Sequence, residues 1–400
     1  MMNNRINKTA PILFVCVVFA FSLGLKRPVY STDFTAQVSK IYSQNCIAAG
    51  CHSGKFPPME LNLEADKFQA SLLDVSSRQV PDLKLVDTTN PEKSYLLMKL
   101  RGEVPITGKP MPYERDPLSR EDIEAVEEWI LELEGLEIPE QPETLKAQAQ
   151  EERRFTKPAF WGTRLMNLPT DMSIGKKDFL FRISHRFIPA VSKGYDSFYG
   201  FDGPASIYFS FGYGISDTLS FTLGRSSFLK EFELSLKWVF LEQEKLSLPL
   251  SAFLYLGGGL TTLRQEDRST FGSENTRFIA QLGLTYQFSN AFSILLVPSY
   301  ASNTKYEKPN TENTLAVGLG GRLTLFNDLS LLAEWVPVLS GYQMNSSGWG
   351  LGLEWKIGGH VFQIFALNSY GLPTAQYLPG GDLRLSENDF RFGFSIFRLF

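Results

Sequence analysis

A chain of 400 residues is long enough for two or three domains, each with its own core. The formal net charge of −4, with no long basic run to meet phosphates, excludes nucleic acid as a partner. Hydrophobic content is an ordinary 43%, but the 32 Phe and 32 Gly gather in the second half, as in a closed membrane barrel where alternate residues meet lipid.

At the N-terminus, Arg5 and Lys8 precede the apolar stretch Ala10 to Leu25, and small residues follow around Ser31. The stretch is shorter than the roughly 20 residues a spanning helix needs. Its three-part layout is that of a secretory signal over 1–31, with an uncleaved anchor as the alternative. No lipobox surrounds Cys16, so lipidation is not expected. Removing the signal leaves two cysteines, Cys46 and Cys51, in an oxidising compartment.

A helix is expected from Asp33 to Cys46, starting at Thr32, with Phe34, Val38 and Ile41 on one side. It leads into Cys46-x-x-x-x-Cys51-His52. Covalent haem attachment uses two thiols for the two vinyl groups and a histidine beside the second thiol for the iron, usually as C-x-x-C-H. Here two extra residues within Ile47–Gly50 must bulge between the thiols, and a glycine with small neighbours eases that. A Cys46–Cys51 disulfide with an incidental His52 is the competing reading. A haem also needs a second axial ligand, often methionine. Met111 stands in Gly108-Lys109-Pro110-Met111-Pro112, where flanking prolines keep it out of a helix. Met98 belongs to a helical run, Leu96 to Leu100, and Met59 follows two prolines close to His52. A second helix follows, with Ser119 as N-cap, Asp122 three residues on, an apolar face of Ile123, Val126, Ile130 and Leu133, Trp129 beside it, and Gly135 as the stop.

Helix, Cys-Cys-His, Pro91-Glu92-Lys93-Ser94-Tyr95-Leu96, Gly-x-x-Met111-Pro112 and a Trp-containing last helix come in the order that resembles the single-haem cytochrome c domain family, over about residues 32–137. The resemblance implies a small all-α domain with one covalent haem c. Cys46 and Cys51 would be its thioether sites, His52 the proximal iron ligand and Met111 the distal one. The wide gap between the cysteines departs from the usual family pattern.

Residues 138–156 are polar and proline-punctuated, which predicts a linker, partly helical near 144–152. A lead-in segment, 157–177, then precedes a barrel over 178–400. Alternation with period two predicts about twelve antiparallel strands, near 178–188, 205–215, 218–226, 231–241, 247–258, 276–288, 291–301, 313–325, 328–336, 347–357, 359–367 and 388–399. One face carries Phe, Leu and Trp. The other, rich in Gly and Ser with scattered charges, suits a tight polar lumen. Short turns at 216–217, 289–290, 327–328 and 358–359 alternate with longer connections, which places both chain ends of the barrel in the periplasm.

Phe390, Phe392, Phe394, Ile396 and Phe400 look like a C-terminal signal for barrel assembly, with Arg398 as an in-phase departure. Thr163 to Thr170, Phe181 to Phe187 and Gly224-Arg225-Ser226-Ser227-Phe228 resemble a family of outer-membrane barrels from Bacteroidota-like envelopes, over about 160–400. That family carries no activity to transfer. Arg182, Arg186, Lys237, Arg322, Lys356 and Arg391 with Glu233, Glu334 and Glu354 are expected to form a lumen network that fills the barrel, a selective pore being the other reading. His185 and His360 are isolated and expected to be structural or interfacial.

The function expected from these parts is electron transfer in the periplasm by an outer-membrane-anchored cytochrome that is a carrier and not an enzyme. The expected partners are periplasmic redox donor and acceptor proteins, outer-membrane lipid and the barrel assembly machinery. A pore or transporter barrel, with the haem domain as redox sensor or docking module, is the alternative. A haem enzyme such as a peroxidase would need an open iron site.

Overall fold

The computed structural model describes residues 32–47, 51–54, 57–113, 115–134, 155 and 157–400, apart from 244–248, 265–268, 270, 307–311 and the single residues 327, 358 and 388. The expected signal segment 1–31 and nearly all of the linker 138–156 lie outside the described residues.

Residues 32–134 fold around four helices, α1 (Thr32–Asn45), α2 (Phe68–Leu72), α3 (Tyr95–Arg101) and α4 (Arg120–Glu132). The helical spacing of Val38, Ile41 and Tyr42 on α1 meets that of Ala125, Val126, Trp129 and Ile130 on α4, and Phe68, Leu72, Leu97 and Leu100 complete one core. Phe68 sits between Tyr42 and Trp129, its ring centroid 5.5 Å from the first and 5.6 Å from the second. Ser119 caps α4 as expected, its hydroxyl accepting from the Asp122 amide at 3.1 Å.

Residues 179–399 form one closed antiparallel sheet of strands β1 (Phe179–Phe187), β2 (Ala205–Gly214), β3 (Leu219–Ser226), β4 (Glu231–Leu241), β5 (Ser251–Thr261), β6 (Thr276–Gln287), β7 (Phe292–Ala301), β8 (Thr314–Phe326), β9 (Leu329–Val336), β10 (Val338–Gly341), β11 (Gly348–Ile357), β12 (His360–Leu367) and β13 (Arg391–Leu399). Pro337 has no amide hydrogen for the ladder and splits one stave into β9 and β10, both of which pair with β8. The ring therefore has the twelve staves the alternation predicted. It closes where β1 meets β13, with Ile183 opposite Ile396.

Burial alternates along most of the long strands, for example from Glu231 to Phe240 in β4. The outward rows are Phe, Leu, Ile and Trp. Exposed aromatics gather at both ends of the ring, Phe179, Trp238, Phe288 and Trp355 at one and Phe232, Phe278 and Trp335 at the other. Such girdles flank the lipid-facing band of a membrane barrel. Among the described residues no helix is long and apolar enough to cross a membrane, so crossing falls to the strands.

The inward face departs from the expectation in one respect. Gly, Ser and charge dominate β2 to β4, but Ile279, Leu295, Val297, Leu332, Val336 and Phe365 point inward elsewhere and belong to a packed apolar core. What they pack against is the lead-in segment.

Candidate functional site

The segment expected merely to lead into the barrel lies inside it. It starts at the short-turn end, where the Lys157 amide donates to Asn290 Oδ1 at 3.2 Å and its carbonyl accepts from Gln287 Nε2 at 2.9 Å. It runs up the lumen and turns at Leu165-Met166-Asn167-Leu168, closed by Leu165 N to Leu168 O at 2.9 Å and Thr170 N to Thr163 O at 3.1 Å. It returns to the same end, where Ser173 Oγ donates to the Asp217 carbonyl at 2.6 Å. The glycines of the inward rows make room for it. A Cβ on Gly318 would meet Leu168, one on Gly320 would meet Leu165, and one on Gly350 would come within 2.8 Å of Met166 Sδ.

From the other end the connection between β12 and β13 folds inward, carrying α5 (Thr374–Tyr377), with Leu372, Ala375, Tyr377 and Leu378 buried. Wall carboxylates and guanidinium groups clamp the two insertions together. Glu233 accepts from Arg164 Nη2 of the hairpin at 3.2 Å, from Tyr255 Oη at 2.7 Å and from the Thr374 amide at 2.6 Å. Glu334 accepts from the Asn167 and Leu168 amides at 2.9 and 3.2 Å. Arg186 donates both to Asn167 Oδ1 and to the Gly371 carbonyl. Arg322 donates to the carbonyls of Pro158 and Ala159 and lies 3.9 Å from the Trp161 ring centroid. The expected inward charges are thus inward and fill the barrel. Arg164, Glu231 and Arg277 also take part, with Arg277 Nε 3.9 Å from Glu231 Oε2. His185 faces outward, stacked 5.0 Å from Phe394, and His360 accompanies Arg398 at the rim, so neither belongs to a ligand set.

In the helical part, Cys46 directly follows α1, half-buried against the core, and neither it nor Cys51 is in a disulfide. The His52 amide donates to the Cys46 carbonyl at 3.0 Å, which folds the Cys-to-His loop back on itself. His52 Nδ1 lies 3.2 Å from the Leu61 carbonyl. A carbonyl can only accept, so Nδ1 carries the proton there, and the Pro58 carbonyl is a second backbone acceptor for the ring. Burial lowers the His52 pKa, which favours that neutral ring. Burial, with the neighbouring Cys51, pushes the Cys46 thiol up to about 12.

Met111 packs against the same core as Cys46. Its amide donates to the Lys99 carbonyl at 2.9 Å, while Lys99 Nζ holds the carbonyls of Thr107 and Lys109 at 2.9 and 2.7 Å. Met59 is 58% exposed, and Met98 lies within α3. Two fully buried donors, Tyr42 Oη and Trp129 Nε1, have no hydrogen-bond partner among the described residues. Leaving them so costs roughly 1–3 kcal/mol each, unless an acceptor enters with a ligand. Neutral imidazole, two unjoined thiols, a fastened methionine loop and orphaned donors suitable for a carboxylate fit a haem on donor chemistry. Among the described residues no three His, Cys, Asp or Glu side chains group to hold a bare ion.

The family model of the membrane-bound β-barrel domain named DUF5777 matches residues 160–400, hairpin included. The chain belongs to that family. Among solved structures, the membrane-bound barrel is similar to the NanC porin, at 8% identity and a TM-score of 0.36 over 55% of this chain and 98% of the porin. It is also similar to the KdgM porin, at 12% and 0.32 over 55% and 98%. A triple mutant of the Rhodopseudomonas blastica porin follows at 14% and 0.26, over 49% of this chain and 55% of the porin. No curated protein matches.

Proposed function

We propose that this protein is a c-type cytochrome anchored in the outer membrane, carrying one covalent haem on residues 32–134 and exchanging electrons with periplasmic redox proteins. The observation that carries the reading is His52. Its Nδ1 is committed to the Leu61 carbonyl, and it directly follows Cys51, which like Cys46 is not in a disulfide. Bound through both sulfurs, a haem supplies a one-electron iron couple whose potential a thioether ligand raises.

The chain's own contribution is orientation. Cys46 and Cys51 fix the group covalently, Leu61 sets the imidazole tautomer, and the Lys99 contacts hold the Met111 loop in place. Two protein ligands leave no open position for substrate, which favours a carrier over an enzyme. The filled lumen suits the barrel to anchoring.

A second reading, a pore or transporter with the haem domain as sensor or docking module, is favoured by membership of a membrane-barrel family and by the polar clamps in the lumen. It requires residues 155–174 to leave. Both readings are tested on the full chain made with haem-attachment machinery. A haem-stained denaturing gel of the membrane fraction and a low-spin haemochrome spectrum that Met111→Ala abolishes are expected. A colourless protein with Cys46 joined to Cys51 would remove the redox reading. Steady conductance of the intact chain in a planar bilayer would favour the pore.

A further inference from the structure

Charge does not balance on the lumen side of β1. Arg182 is 3% exposed. Its Nε donates to Ser184 Oγ at 2.8 Å, and its guanidinium lies 5.5 Å from the ring centroids of Tyr208 and Phe397. Among the described residues no carboxylate stands within ion-pair distance of it. Glu233, the carboxylate that reaches it electrostatically, is already held by Arg164, Tyr255 and Thr374. Lys237, 7% exposed, donates to the hairpin carbonyls of Thr170, at 3.2 Å, and Met172. The carboxylate of half-buried Asp171, between those two residues, offsets part of its charge. With Glu233 set against Arg164 and Asp171 against Lys237, Arg182 is left over.

Arg164, Arg182 and Lys237 all line one cavity of about 30 Å³, together with the hydroxyls of Ser210, Ser220 and Thr222, and no carboxylate lines it. The cavity has room for a particle of water size or for a small anion. Water leaves the surplus guanidinium charge uncompensated, and a buried unpaired charge is strongly unfavourable. A small anion removes that cost, with hydroxyl and N–H donors around it.

We propose that this cavity binds one small monovalent anion, chloride in an ordinary salt medium, held by Arg182 and Lys237 and the lining hydroxyls. Arg164 belongs to the hairpin and Lys237 grips it, so the bound anion also fastens the hairpin to the wall. The site depends on neither the haem nor the pore reading.

The test is thermal unfolding of the full chain in detergent, in sodium chloride, bromide or gluconate at equal ionic strength. Chloride and bromide should raise Tm saturably by roughly 2–4 °C over gluconate, which is too large to enter. Arg182→Gln should flatten that dependence. Equal Tm in chloride and gluconate, or an unchanged chloride effect in Arg182→Gln, would overturn the proposal. If the variant does not assemble, wild-type crystals grown in bromide decide it. An anomalous peak in the cavity supports the site, and water alone there overturns it.

Discussion

Replacing Arg164 with methionine keeps the bulk of the hairpin side chain but removes its charge from Glu233, which is 1% exposed. Breaking a buried pair by removing one partner costs about 3–5 kcal/mol, because the other charge stays buried and unpaired. Glu233 retains the Tyr255 hydroxyl and the Thr374 amide, so the lower end, about 3 kcal/mol, applies. The hairpin is not itself a stave, so this cost falls on its docking more than on the wall. At 1.4 kcal/mol per tenfold, the undocked population should rise about a hundredfold. A single reporter thiol reads this out: Met166→Cys, 0% exposed at the wild-type position, with Cys16, Cys46 and Cys51 replaced by alanine. Maleimide labelling of that thiol should speed up about a hundredfold on adding Arg164→Met. Adding Glu233→Gln as well should recover most of the loss, since no bare carboxylate then remains. A labelling rate within threefold of the parent, or labelling no slower with both Arg164→Met and Glu233→Gln than with Arg164→Met alone, would refute the clamp.

Gly320→Leu should drive its side chain into Leu165 and expel the hairpin or lower barrel Tm, whereas the outward Leu319→Ile should change little; hairpin exposure follows from the same thiol probe. In the haem-free full chain the depressed His52 pKa makes the folded state bind fewer protons than the unfolded one below about pH 6.5. Stability of the helical part should therefore fall as pH drops through that range and stay flat above it, read as amide exchange in α1 and α4, with His52→Gln removing the slope. Ser119→Ala should cost about 1 kcal/mol by leaving the Asp122 amide uncapped, measured by the same exchange.

The wall of the barrel was legible in the sequence because a lipid-facing row must be apolar at every second residue, and the twelve expected runs coincide with the staves to within a few residues. The α1 and α4 faces were legible for the same reason at helical spacing. The lumen hairpin was not. Phe160-Trp161-Gly162-Thr163-Arg164-Leu165-Met166 has no period, and its partners stand as far as 210 residues away, as Arg164 and Thr374 do. A signal was nonetheless present. Ile279, Leu295, Val297 and Leu332 are apolar on a row that a water-filled lumen would keep polar, and Gly318 and Gly320 leave a gap opposite them. Together these call for an occupant. Cys46, Cys51, His52 and Met111 were singled out in sequence by residue type and spacing, but the Leu61 carbonyl beside the imidazole has no sequence signature, because any residue supplies one.

The hairpin also bears on how the molecule is made. Its return arm ends only a few residues before β1, and β1 is one side of the seam that β13 closes. Along the chain the occupant precedes β1 and the seam partner β13 follows the other staves, so the sheet can curl around a filler covalently attached to its leading edge. A wall begun in that order has an inner template against which to set its circumference, and the final β13 shuts a vessel whose contents are already stowed.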